Sequence, residues 1–118
     1  MPSPLQITFR SIPHSEALAT DIRERASGLQ AICDRIISCH VIVALDGHHH
    51  RGGDRFHISI HIGLPGHELL ANRHAHVEAA PESAATAVTH AFDEAERQLE
   101  DWLGKRQAHR QDEARSSS

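Results

Sequence analysis

The segment LDGHHHRGGDRFHISIHIG, Leu45 to Gly63, holds five of the twelve histidines of a 118-residue chain. Imidazole can ligate a metal, carry a proton or sit on a wetted surface, so spacing has to choose among these roles. His48, His49 and His50 are adjacent and flanked by Gly47 and Gly52–Gly53, and three consecutive side chains of an extended turn do not converge on one ion. His57 and His61 differ, because residues four apart on a strand share a face. His40 falls on the polar side of the preceding strand. His40, His57 and His61 are therefore the candidate metal ligands, with no acid or cysteine clearly beside them. The preferred reading is plainer: polar residues on a solvated sheet face and a flexible histidine tip. A partly protonated tip over phosphate lies between the two. No metal or other cofactor is expected. Cys33 and Cys39 read as reduced, buried and apolar in character, a disulfide or zinc pair being the alternative.

Catalytic machinery is not visible. The sequence has no nucleophile with a base at a recognisable spacing, no glycine-rich phosphate loop and no HExxH. His90 and Asp93 stand one turn apart on a helix, a common surface pairing. Twelve Lys and Arg against sixteen Asp and Glu give a formal charge of −4, which opposes nucleic-acid binding by bulk electrostatics and makes any such contact local. No apolar run is long enough for a bilayer span, so no membrane partner is expected. The start Met-Pro-Ser-Pro-Leu-Gln lacks a basic segment followed by an apolar one, and a cytoplasmic location is expected.

The elements that position these residues follow from periodicity. Leu5, Ile7 and Phe9 alternate with polar residues and predict a first strand ending near Pro13. Ser15 can cap a helix on which Leu18, Ile22, Ala26, Leu29 and Ile32/Cys33 form one apolar stripe up to Asp34. The β-branched run from Ile36 to Leu45 puts Ile37, Cys39, Val41, Val43 and Leu45 on one face of a second strand. Phe56, Ile58, Ile60, Ile62 and Leu64 alternate with His57, Ser59, His61 and Gly63 in a third. Pro65-Gly66 predicts a turn into a fourth strand over HELLANR. Ala80-Pro81-Glu82 opens a second helix carrying Ala85, Val88, Phe92, Ala95, Leu99 and Trp102/Leu103, closed by Gly104.

The order β-α-β-β-β-α with one stripe per helix predicts an α+β two-layer sandwich: a four-stranded sheet with both helices on one face. Phe9, Val41, Ile58, Ile60, Val88, Phe92 and Leu99 should be buried together. Residues 1–104 form the expected domain, and 105–118, with two alanines as the only apolar residues, the expected disordered tail.

Taken in order, LQITFR, SEAL, CDRIISCHVIV, HHHRG, PGHELLANR and AFDEAERQLEDW resemble the ribosome hibernation factor family, of the short ribosome-associated inhibitor and sigma-54 modulation type, over roughly residues 5 to 103. The resemblance implies a domain that binds the small ribosomal subunit and its 16S-type rRNA in the decoding channel, over the mRNA and tRNA sites, and silences idle ribosomes. It implies neither catalysis nor a small-molecule substrate. The histidine-rich turn is similar to one in a branch of that family. Arg25 and Arg35 match basic positions of the family pattern, as does Arg97 in Arg-Gln-Leu, and Arg23, Arg51, Arg55 and Arg73 lie near the same elements. Arginine suits phosphate because its planar fork pairs two oxygens. Against the pattern, Gly28, Glu94, Glu100 and Asp101 stand where typical members carry Lys or Arg. The exposed face of the second helix is read as Asp93, Glu94, Glu96, Arg97, Glu100 and Asp101, which weakens the expected ribosome affinity or redirects it to another surface. The rival expectation is a divergent member without ribosome affinity, acting as a metal- or protein-binding module. The sequence ends after the second helix, so pairing of ribosomes through a further domain is not expected of it.

Overall fold

A computed structural model describes the backbone of residues 5–46, 55–76 and 80–116 and the side chains of 5–44, 57–72 and 84–105. The expected tip at His48–His50 lies outside the described residues. Six elements follow in the expected order: β1 (Leu5–Arg10), α1 (Glu16–Ile32), β2 (Ser38–Asp46), β3 (Arg55–Leu64), β4 (His67–His76) and α2 (Ala80–Ser116). The strands form one sheet in the spatial order β1-β2-β3-β4, with β1 parallel to β2 and the other pairs antiparallel. A parallel neighbour needs a crossover, and α1 supplies it.

Local chemistry sets the ends of the elements. The Ser15 hydroxyl accepts from the Leu18 amide at 3.2 Å and caps α1. β3 turns into β4 through Pro65 and Gly66 alone, with Leu64 paired to His67. Proline fixes its own φ near −65°, so the left-handed step falls to Gly66, at φ +67°.

Period-two alternation then divides the sheet. Cys39, Val41 and Val43 of β2, Ile58, Ile60, Ile62 and Leu64 of β3, and Leu69 and Ala71 of β4 are all buried on one face. They meet Leu18, Ile22, Ala26 and Leu29 of α1 and Val88, Phe92, Ala95 and Leu99 of α2 in a single core. Both helices therefore cover the same side, because that side holds the only continuous apolar surface.

Four expectations need correction. Phe9 is only partly buried, packed at the margin of the core, because β1 is an edge strand; its ring meets His14 edge-on at 4.9 Å. Ile37 is 56% exposed and Ile36 takes the core position. The chain enters the ladder only at Ser38, so strand parity does not reach back to Ile37, whose amide donates to the Gly63 carbonyl at 2.7 Å. The second face of β3 is not uniformly wet: Ser59 is buried there and donates to Asn72 Oδ1 at 2.9 Å. Finally, α2 continues past Gly104 to Ser116, where disorder was expected. The segment has no face to bury, but Lys, Arg, Gln, Ala and Glu are strong helix formers. Lys105 also pairs with Asp101 one turn back at 3.2 Å, and a single interior glycine costs only about 1 kcal/mol.

Cys33 and Cys39 are free and buried. Burial pushes the Cys39 thiol from 9.0 up to about 11. Above pH 9 the unfolded thiol ionises while the folded one resists, so stability is unaffected below that pH and falls as pH rises from about 9 to about 11. Urea unfolding at pH 8 and pH 10.5 should show a loss that is smaller in Cys39→Val. In the same assay Leu99→Ala should cost about 2–5 kcal/mol, and Gly66→Ala about 1–2 kcal/mol through backbone strain alone.

Candidate nucleic-acid interface

The helices carry Arg23, Arg25 and Arg97, and neighbouring carboxylates decide which of them are available. Arg23 and Arg25 lie two residues apart on α1 and so point to different flanks. Arg23 is exposed at the mouth of a cavity of about 260 Å³ lined by Leu5, Ala26, Leu29, Ile36 and Cys39. Arg25 is half-buried, with its Nε 3.2 Å from both carboxylate oxygens of Asp21, and faces a groove between the helices shared with Asp93 and Glu96. Arg35 is exposed in the turn that follows α1. On α2, Arg97 Nη1 lies 2.9 Å from Glu94 Oε2. Among the described residues Arg10, Arg23 and Arg35 have no ion pair, whereas Arg25 and Arg97 are already matched.

The remaining sequence candidates fall at or beyond the limit of description. Arg51 lies outside the described residues. Arg55 is placed by its backbone, opposite Asp46 on β2 and His76 on β4. Arg73 pairs with Ile58 across the β3–β4 ladder. Among the described side chains, the structure brings Arg25 to α2 and sets Arg23 on a different flank of α1.

The acids of α2 do not share one face. Glu94 and Glu96 are two residues apart, about 200° around the helix, and both are half-buried. Glu96 lines the interhelical groove beside Arg25. Glu94 sits on the opposite flank, where Gln98 Nε2 approaches its Oε1 at 3.4 Å and also donates to the Leu70 carbonyl of β4 at 3.1 Å. Asp93, Arg97, Glu100 and Asp101 are exposed.

The sheet face away from the helices carries the histidines. Thr8 Oγ1 of β1 lies 2.9 Å from His40 Nε2 of β2. His40 is the direct cross-strand partner of His61 on β3, with ring centroids 6.2 Å apart. His61 Nδ1 lies 3.5 Å from Glu68 Oε1 on β4. A polar row thus crosses all four strands. His57 is not part of it: four residues along β3 from His61, it is displaced by roughly 13 Å and hydrogen-bonds Ser59 at 3.2 Å. The suggested triad of His40, His57 and His61 does not converge, and no group of three metal-ligating side chains that could hold an ion occurs among the described residues. Sequence reasoning passed over Arg10, Thr8 and Glu68. The alternation of Gln6, Thr8 and Arg10 with Leu5, Ile7 and Phe9 already placed two of them on the open face.

The architecture is a four-stranded sheet with one dry face under two helices and an open face that carries the histidines. The chain belongs to the sigma-54 modulation protein / S30EA ribosomal protein family, whose model matches residues 5–107. Among solved structures, it is similar to a ribosomal subunit interface protein from Coxiella burnetii, with 18% identity and a TM-score of 0.68, over 86% of this chain and 98% of that one. It is also similar to the N-terminal domain of Protein Y from Thermus thermophilus, with 17% identity and a TM-score of 0.62, over 82% and 94%. At such identities the likeness concerns the fold. No curated protein sequence matches the chain.

Surface ion pairs contribute little to stability because water and salt screen them. Arg97→Ala should therefore change the unfolding free energy by less than about 0.5 kcal/mol, read from urea midpoints. Any change in partner binding by that variant then reports on the interface itself.

Proposed function

We propose that this protein associates with the small ribosomal subunit and lies on its 16S-type rRNA in the decoding channel, where it blocks the mRNA and tRNA sites and holds idle ribosomes inactive. The observation that carries this reading is the family match across residues 5–107, which takes in all four strands, α1 and α2 as far as Gln107. The naming of the Coxiella burnetii structure as a ribosomal subunit interface protein supports it. The action is binding and occlusion, without catalysis, cofactor or small-molecule substrate. The cytoplasm, where ribosomes are, is its place of action; no helix among the described residues is long and apolar enough to cross a membrane.

Within this reading, Arg23 and Arg35 are the free phosphate contacts on the helix side. Arg25 and Arg97 contribute less, because each must exchange a carboxylate for a phosphate. Arg51, Arg55 and Arg73 complete the proposed set. A chain of net charge −4 needs such local contacts, since its overall field repels RNA.

Sucrose-gradient co-sedimentation with small subunits at low and moderate salt tests the proposal. Wild-type protein should travel with the subunit. Arg23→Ala and Arg35→Ala should each weaken binding and reduce the salt slope by about one unit. Glu94→Lys removes the partner of Arg97 and adds a cation, so it should tighten binding at low salt, and the gain should shrink as screening rises. Wild-type protein that stays at the top of the gradient at low salt would overturn the proposal in favour of a member acting as a metal- or protein-binding module.

A further inference from the structure

Charge is divided between the two faces of the molecule. From Asp93 to Asp101, α2 carries five acids and one arginine. On the open sheet face lie Arg10, His40, His57 and His61 with Glu68, and by strand parity Asp46 shares that face opposite Arg55. The helices cover the opposite side of the sheet.

His40 and His61 occupy the centre of it, directly opposite each other on the two central strands. Each ring has one nitrogen engaged by the flanking strand, His40 Nε2 with Thr8 and His61 Nδ1 with Glu68. The other nitrogen of each ring has no protein partner among the described residues. Protonated imidazole donates from both nitrogens, so each ring can keep its flanking contact and still donate outward. Two imidazolium charges with centroids 6.2 Å apart repel, and Glu68 faces only one of them. The groups facing the pair are Gln6 and Thr8 from β1 and Glu68 and Leu70 from β4. None of these adds positive charge, and an anion placed over the rings relieves the repulsion.

We propose that the open sheet face binds the phosphodiester backbone of unpaired RNA through His40 and His61, with an affinity that rises as pH falls across the range in which histidine gains its proton. The proposal rests on the ribosomal reading for its choice of RNA as partner. Charge complementarity favours a polyanion. A sheet surface cannot enter the deep, narrow major groove of an A-form duplex, which favours a single strand. The coupling has a definite sign: a bound phosphate stabilises the protonated rings, so by reciprocity protonation strengthens phosphate binding.

Fluorescence anisotropy with a labelled twelve-nucleotide oligouridylate at pH 7.5 and pH 5.8 tests this. Wild-type affinity should rise about three- to tenfold at the lower pH, as expected for two exposed charge pairs. The salt slope should steepen by about 1.4, the value for two phosphates on a single strand. His40→Gln with His61→Gln should abolish the rise, whereas His57→Gln should retain it. The single variant His61→Gln should halve the change in slope and serves if the double variant melts early by circular dichroism. A wild type without the rise, an undiminished rise in His61→Gln, or any rise that survives in the double variant overturns the proposal. Co-sedimentation of wild-type protein with small subunits at pH 7.5 reads the ribosomal proposal separately. Subunit binding with no rise in the oligonucleotide assay defeats only the present inference, and the rise without subunit binding defeats only the earlier one.

Discussion

The structure depends on the alternation of β3. Ile58, Ile60 and Ile62 are at most 1% exposed, and the residues that alternate with them, His57, Ser59 and His61, are polar. A strand has two faces and no third option, so each isoleucine turned to the core turns an imidazole or hydroxyl the other way. Its antiparallel neighbours carry the same division into β2 and β4. Fully burying an isoleucine is worth roughly 1.5–3 kcal/mol, so a slip of one register, which would exchange the faces of the strand, is strongly disfavoured. Both helices follow from this, since their apolar stripes can be buried only on the isoleucine side. The acidic exposed surface of α2 and the histidine-bearing face of the sheet are consequently held on opposite sides of a two-layer body.

That separation gives an acidic protein a way to approach a polyanion. The net charge of −4 is not spread evenly. Asp21 and Glu94 each take up one arginine on the helices, leaving Arg23 and Arg35 without an ion pair on that side, while the open sheet face holds Arg10, His40, His57 and His61 beside Glu68. Local surfaces of opposite sign coexist because exposed charges more than about 10 Å apart barely interact at physiological salt. Family membership directs attention to the arginines, and the geometry adds the imidazoles.

The parts of this architecture that the sequence revealed are those governed by short periods. The alternation of β3, the apolar stripe of α1 with Ser15 as its cap, and the Pro65-Gly66 turn were all readable because each depends on neighbours within a few residues. The pairings that disarm Arg25 and Arg97 were readable too, at spacings of four and three from Asp21 and Glu94, but become apparent only when every exposed arginine is checked against its own helix. The division of Glu94 from Glu96 follows from 100° per residue and was obscured by reading the acids as one run. What periodicity could not supply was strand register. Whether His40 meets His61, and which β1 residue lies beside them, depends on how strands far apart in sequence align. For α2 beyond Gly104 the expectation rested on burial alone, whereas helix propensity and the Asp101–Lys105 pair extend the backbone without it.

The contact between Gln98 and the Leu70 carbonyl has a meaning beyond packing. β4 ends the sheet on one side, and an edge strand offers unpaired backbone groups on which a foreign strand can assemble. By occupying one of those carbonyls, the amide of Gln98 interrupts the row at its middle, so a strand added along β4 would have to break an existing bond to align. At the opposite margin β1 is only six residues long and ends on the charged Arg10, features that shorten and blunt an edge. The two borders of the sheet are thus guarded by different means, a side chain reaching from the long helix on one and brevity with charge on the other. A domain built this way can expose a polar sheet surface to a ligand without recruiting further copies of itself through its edges.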